Sequence, residues 1–508
     1  KSITFGEIKG NMLLLPKIFN YNVNYYLKGS RKYMRQIVLN SKMNLGTSIS
    51  KWTFYLGALF LFAFGLGLFW AIGHLVSNVT DTGNDFNIEQ PAPFILSCDY
   101  LLKGGTIVDG TGLPAYVGDV AIKGDKILAV GKFNVLNPVK TIDITGKTVA
   151  PGFIDIHTHT ENYWLTFPAG KMTLAQGITT HIAGNCGTSV ASVPDFLASI
   201  NKNGNAINVG IFTGYTKLRR QAGVADNAIT NEAQLKKMQA LLKKSIEGGS
   251  FGMSVGLGYF PQSRATTAEL KALGKTMVAE NALLAMHIRN EADTVVESLA
   301  EAIEIAKVTG VRFEYSHVKA AGENNWNKAP TLLKMLEQAK ADGVDIMADA
   351  YAYAFSSNDL YSGAYLSSSE ENVKKILMHP MVMVASDGGL QARGIAVHPR
   401  VYANATRVLG KYVRDENVLT LENAVHKMTQ MPAERLKLND RGLLMGGYRA
   451  DVVVFDLQDI KENATRTKPN QLSSGMSYVF VNGVIAIDNG NFTGKKGGQA
   501  LYSNKYYK

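Results

Sequence analysis

Between residues 152 and 386, short apolar runs alternate with stretches of helical periodicity, and few folds accommodate that rhythm. The runs are GFIDIHT (152–158), GITTHIAG (177–184), INVGIFT (207–213), SFGMSVG (250–256), ALLAMHI (282–288), VRFEYSH (311–317), VDIMADA (344–350) and MVMVAS (381–386). The clearest amphipathic stretches between them are NEAQLKKMQALLKKSIE, TVVESLAEAIEIAKVTG and APTLLKMLEQAKADG. Apolar runs this short suit strands buried on both faces, and strands that alternate with helices suit a parallel sheet. Eight such units over about 250 residues predict a (β/α)8 barrel, an α/β fold whose chemistry gathers at the C-terminal ends of its strands.

The flanks have a different texture. Short strand-like runs with Gly or Asp turns occur at YLLKGGTIVDG, VGDVAIKGDKILAVG and KTIDITGKTVA, and again at ADVVVFDL and SYVFVNGVIAIDNG. They predict a small β-sandwich domain built from both ends of the body, 98–150 with 440–495, around a catalytic barrel at 151–439. Residues 77–97 are polar and read as a linker.

Ahead of the linker, 53–73 is uncharged and long enough to cross a hydrocarbon core of about 30 Å. Trp52 and Trp70 lie near its ends; Lys28, Arg31, Lys32, Arg35, Lys42 and Lys51 precede it, and Asp81, Asp85 and Glu89 follow. One transmembrane helix at 52–76 is therefore expected, with a cytoplasmic N-terminus and a periplasmic or extracellular body. The run exceeds a signal-peptide core, and no small-x-small cleavage site follows it directly. Residues 1–51 carry nine Lys/Arg and one Glu, so +8 of the net +11 lies there. The remaining +3 gives the body no basic face for nucleic acid. The segment 1–51 has no clear periodicity, is given no function, and would drop out of a protein started at Met34 or Met43.

The informative residues stand at the ends of the barrel runs. Asp155-Ile156-His157-Thr158-His159 places two imidazoles two apart, on one face of a strand. Cys186 follows the second run between glycines, His287 and His317 end the fifth and sixth, and Asp387 follows the eighth. Singly, each has a plain structural explanation: a core cysteine, satisfied core histidines, an Asp-Gly turn. Together they make a mouth ring of His, His, Cys, His, His and Asp, which has the ligand chemistry of zinc. Cys98 has no such company, and the other five histidines (His74, His181, His379, His398, His426) are taken as structural, His181 and His398 lying nearest the mouth.

HTHT, GNCGTS, the strand ends HIRNEAD and SHVKAAG, ASDG, and the tail HPRVYANATRVLGKYVRDENVLTLENAVHKMTQMPAERLKLNDRG resemble N-acyl-D-amino-acid deacylases (D-aminoacylases) of the amidohydrolase superfamily. The resemblance covers roughly 98–490, most of the chain. It implies an amidohydrolase-type barrel in which Cys186, His287 and His317 hold one zinc tightly. His157 and His159, helped by Cys186 and Asp387, would form a second, weaker site, and Asp387 would be the catalytic base. The implied reaction is hydrolysis of a small-molecule N-acyl-D-amino acid to the D-amino acid and a carboxylate.

Lys319 and Arg289 each lie two residues past a ligand histidine and are candidates for the substrate's α-carboxylate. Lys319 matches a family residue with that role, and Tyr353 resembles a family tyrosine near the substrate, with Ser356 or Ser357 beside it. Two departures stand out. Gly214-Tyr215 replaces the family's usual Gly-His, and the stretch from Asp349 to Asp387 is shorter than in relatives with a small inserted domain, which predicts a more open mouth. The alternatives are a dihydropyrimidinase- or dihydroorotase-type hydrolase of cyclic amides and a catalytically dead, membrane-tethered binding protein. The first wants a bridging lysine at the end of strand four, where SFGMSVGLGYFP has none; the second expects missing ligands, and none is missing. Oligomeric state is not legible from the sequence.

Overall fold

Each apolar run of the central region contains a strand, and the strands lie side by side in chain order. The computed structural model describes residues 94–503, except 168, 358, 360–366 and 390–397. One ladder joins Phe153–Asp155, Ile178–Ala183 and Asn208–Ile211; a second joins Thr213–Gly214, Gly252–Gly256, Leu283–His287, Arg312–Tyr315, Ile346–Ala350 and Val382–Val384. All pairings within them are parallel. The third run feeds both ladders, interrupted at Phe212. Closure comes one layer higher, where Thr158–His159, beyond the first strand, pairs in parallel with Gly388–Gly389, beyond the eighth. The layer that completes the cylinder is thus also the layer that carries the histidine pair and Asp387.

Helices form where the periodicity places them. Glu232–Glu247 buries Met238, Leu242 and Ile246, one residue per turn, and starts with a capping box in which Asn231 and Gln234 exchange side-chain-to-backbone bonds. Val295–Thr309 ends at Gly310 with φ 75°, the left-handed conformation that glycine adopts without strain. Inside the cylinder, Ile154, Ile156, Ile182, Phe212, Phe251, Leu283, Ala285, Met383 and Ala385 pack as one apolar cluster, so the barrel is a filled core beneath its mouth.

The flanking strands hydrogen-bond as one continuous nine-stranded sheet. The reason lies in one long strand, Phe94–Ile107, whose register shifts between Leu102 and Gly105. On one side it pairs with Tyr116–Lys123. On the other it pairs first with Asn134–Asp143 and then, past the shift, with Thr148–Pro151, which leads on to Val452–Phe455 and Met476–Val481. Side chains from both arms, among them Leu102, Val120, Ile142, Val149, Val452 and Phe480, share one buried cluster. The linker also ends earlier than its composition suggests, because Phe94 to Ser97 already pair with Asn134 to Asn137. The sheet and the barrel belong to one compact unit, Pro91–Lys508. The apolar run at 53–73 and the segment 1–51 lie outside the described residues; among the described residues no helix is long and apolar enough to cross a membrane.

Candidate metal centre and active site

The six ring residues converge. Cys186 Sγ lies 3.4 Å from His157 Nε2 and 3.6 Å from His317 Nε2, and His287 Nδ1 lies 3.0 Å from His317 Nε2. Asp387 Oδ1 is 3.1 Å from His159 Nε2 and 3.5 Å from His157 Nε2. Donor atoms fall within 4.8 Å of one another in three overlapping sets: His157/His159/Cys186, Cys186/His287/His317 and His157/His317/Asp387. The thiolate is common to the first two.

Backbone conformation aims these groups. Cys186, His317 and Asp387 have φ of 48°, 41° and 49°, left-handed conformations that cost a non-glycine residue roughly 1–2 kcal/mol. Turning sharply where a strand ends, each side chain tips into the mouth. Neighbours hold the Cys186 turn in place. The buried Gln262 donates from Nε2 to Cys186 O at 2.9 Å and accepts from Gly256 N at 2.7 Å. Ser254 Oγ donates to Gly184 O at 2.5 Å and accepts from Gly187 N at 2.9 Å. A Cβ at Gly187 would stand 1.7 Å from Gln262 Oε1, which explains the glycine after the cysteine.

Two carboxylates orient the imidazoles. Asp349 Oδ2 lies 3.3 Å from His157 Nδ1, and Asp349 Oδ1 accepts from His317 N at 3.0 Å. Glu291 Oε1 lies 2.9 Å from His317 Nδ1, and Glu291 Oε2 is 3.7 Å from His287 Nε2. Both His157 and His317 therefore present Nε2 to the cluster with Nδ1 against a carboxylate, the arrangement typical of histidine ligands to zinc. Burial alone would raise the Cys186 thiol, but His157, His159 and His287 hold its pKa well below the ordinary thiol range. Burial would lower His157, yet Asp349 and Cys186 keep it well above the usual imidazole value. Burial would also raise Asp387, whereas Arg400, His317 and His159 hold it well below the carboxylate range. A ready thiolate, an ionised carboxylate and imidazoles that turn Nε2 inward make a donor set that fits zinc, whose binding would release the imidazole protons.

Of the expected substrate groups, Lys319 reaches the cluster, but its ammonium is held 2.6 Å from Glu291 Oε1 and 2.8 Å from His317 Nδ1. Arg289 does not come to the site. Its guanidinium forms a two-point bridge with Glu301 and donates to the carbonyls of Ser263 and Ala265. Tyr353 is buried with its hydroxyl 3.4 Å from Glu462 and its ring under Arg407, so its polar end points elsewhere. Ser356 closes its own loop with Asp359, while Ser357 Oγ accepts from Arg400 at 3.3 Å.

What the sequence did not single out is Tyr351 with Arg400. Arg400 Nη2 lies 2.8 Å from Asp387 Oδ2, and its guanidinium stands 4.5 Å over the Tyr351 ring, with Lys319 Nζ at 5.6 Å. Among the described residues, the buried Arg400 Nε and Nη1 and the Tyr351 hydroxyl have no hydrogen-bond partner. His398 sets this up: its Nδ1 accepts from Arg400 N at 3.0 Å, its Nε2 donates to Phe355 O at 2.9 Å, and burial keeps it neutral. The sequence carried a signal for Tyr351, which stands two past Asp349, and none for Arg400. His181, by contrast, is a core residue whose pKa burial pushes down to about 3. Tyr215, in place of the family histidine, donates to Glu269 Oε1 at 2.6 Å.

Comparison with known proteins follows the same lines. The amidohydrolase family model matches residues 148–486. An N-acyl-D-glutamate deacylase of Alcaligenes xylosoxydans xylosoxydans is 32% identical over 76% of this chain and 93% of its own. A D-aminoacylase of the same organism is 30% identical over 79% of this chain and 97% of its own. The solved N-acyl-D-glutamate deacylase of Bordetella bronchiseptica, complexed with zinc and a phosphonate inhibitor, superposes with a TM-score of 0.75 at 31% identity, covering 80% of this chain and all of that one. Sequence kinship and mouth geometry agree: the chain belongs to the amidohydrolase family, within its N-acyl-D-amino-acid deacylase (D-aminoacylase) branch.

Proposed function

We propose that this site hydrolyses the amide bond of N-acyl-D-amino acids, releasing a D-amino acid and a carboxylate. The observation that carries the reading is a thiolate-centred cluster of metal-ligand groups sharing one mouth with a buried guanidinium, two of whose nitrogens have no hydrogen-bond partner among the described residues. Among the described residues Arg400 Nε and Nη1 and the Tyr351 hydroxyl have no hydrogen-bond partner, and a substrate carboxylate can accept a charge-assisted bond from such a guanidinium donor. Deacylase relatives supply the rest, an N-acyl group on a D-amino acid. Cys186, His287 and His317 would hold one zinc, and His157 and His159 with Cys186 and Asp387 a second, weaker one. Zinc, when bound, polarises the amide carbonyl and makes water acidic enough to attack near neutral pH. Asp387 Oδ1, facing the histidines while Oδ2 is tied to Arg400, takes the proton of the attacking water and returns it to the departing nitrogen.

Purified enzyme offered N-acyl-D- and N-acyl-L-amino acids should release amine from the D series faster by at least about a hundredfold. Because bonds to charged groups are worth roughly 1.5–3 kcal/mol, Arg400→Gln should lower kcat/KM at least about tenfold. Turnover of cyclic amides without turnover of linear ones would overturn the reading. The end of strand four argues against that outcome, since Val255-Gly256-Leu257 offers no bridging lysine.

We also infer a single N-terminal membrane anchor at 53–73, with the catalytic body outside the cytoplasm. Its support is the uncharged run with basic residues before it and acidic residues after. Protease added to spheroplasts should digest the body; protection of the body with loss of 1–51 would reverse the topology.

A further inference from the structure

The loop after strand four presents two aromatic side chains that the reaction so far leaves unused. From Gly252–Gly256 the chain runs through Leu257 and Gly258 to Tyr259 and Phe260, which remain 41% and 62% exposed. Tyr259 lies on the metal cluster's flank, its ring centroid 4.6 Å from that of His287. The loop is fixed at several points. Leu257 N donates to His287 O at 2.9 Å, Ser263 N to Tyr259 O at 2.8 Å, and Gln262 ties the loop to Cys186. Gly258 has no room for a side chain, because a Cβ there would come 2.8 Å from His287 Nε2. A loop pinned at these points keeps the Tyr259 ring against the reaction centre and carries the exposed Phe260 next to it in the chain, an aromatic surface suited to an apolar ligand group.

Barrel order says which group. Strands lie in chain order, so in an eight-stranded cylinder the end of the fourth faces the end of the eighth across the mouth. Lys319, Tyr351 and Arg400 follow the sixth, seventh and eighth strands and collect the positive charge and free donors on that side. An acylated amino acid has a trans amide, in which the acyl chain and the α-carbon project in opposite directions. With the carboxylate at Arg400 and the amide at the cluster, the acyl chain must run toward strand four.

We propose that Tyr259 and Phe260 form the acyl-group wall and that the preferred substrates carry apolar acyl chains of several carbons rather than acetyl. This rests on the deacylase reading and adds the acyl class to it. The chemistry is unchanged: the C–N bond breaks, water oxygen joins the acyl carbon, and a proton goes to nitrogen.

The test compares N-acetyl, N-butyryl and N-hexanoyl forms of one D-amino acid, using the purified full-length chain. From acetyl to hexanoyl, kcat/KM should rise at least about fivefold, since each buried methylene favours binding. Phe260→Ser should flatten the rise to within about twofold, while Phe260→Leu, which keeps an apolar side chain, should retain most of it. A flat wild-type profile overturns the inference while leaving deacylation standing, as does a Phe260→Ser profile as steep as the wild type. Absence of turnover on all three substrates by the wild type overturns the deacylase reading and this inference together.

Discussion

Cys186→Ala should leave the protein without stoichiometric zinc and without measurable turnover. The thiolate belongs to two of the three overlapping donor sets, so its loss weakens both metal positions at once. Losing an outer-shell partner typically costs about 10- to 100-fold in metal affinity, and removing a shared ligand should exceed that. The fold should persist. Alanine tolerates the left-handed conformation at 186 about as well as cysteine does, and the anchors of this turn are backbone groups bound by Gln262 and Ser254. Stability should nevertheless fall, because a bound metal adds its binding free energy to the native state and the variant forfeits it. Elemental analysis alongside circular dichroism checks the point. Unchanged zinc in a folded Cys186→Ala protein would remove Cys186 from the ligand set, and with it the two-position description of the centre.

The barrel was legible because strands buried on both faces must be apolar runs, and the amphipathic helices between them bury about one residue in each turn. The ring of candidate ligands was legible for a related reason: function in such a barrel collects at strand ends, where even weak single residues reinforce one another. Strand parity fails just beyond those ends. The fifth strand stops at His287, so Arg289 is free to turn away, and its direction is set by Glu301 on the next helix, a partner that spacing cannot reveal. Tyr351 and Tyr353 share the parity of Asp349, yet only Tyr351 faces Arg400, while Glu462, far along the chain, draws Tyr353 off. Arg400 was hidden because it follows the eighth strand by more than a dozen residues and reaches Asp387 from a helix start. The way the two arms are joined was not legible, since a single register shift lets one long strand serve both arms of a continuous sheet. Pairing geometry of that kind depends on one bulge, and alternation of polar and apolar residues is the same on either side of it.

Asp387→Asn should keep the zinc and most of the substrate affinity, yet lose at least about a hundredfold in kcat, the usual scale for a general acid–base group. Asparagine is nearly the same size and can still accept from Arg400, so the packing around Arg400 and Tyr351 should change little. What it cannot do is hold a proton from water and hand it to nitrogen. The wild-type pH profile gives a second handle. Burial would raise the Asp387 pKa, but Arg400, His317 and His159 depress it, so the carboxylate stays ionised below the usual range and activity should survive into acid. Removing the Arg400 charge relaxes that depression. Arg400→Gln should therefore move the acid limb of kcat/KM to higher pH, and Asp387→Asn should abolish the limb in whatever activity remains. Were Asp387 chiefly a metal ligand, the asparagine variant would lose zinc together with activity, and added zinc would restore much of both. Were it only a turn residue holding φ near 49°, asparagine, which adopts that conformation readily, would turn over normally. Zinc content, kcat and the pH profile measured on one preparation separate these three outcomes, and near-normal turnover would end the proposed role of Asp387.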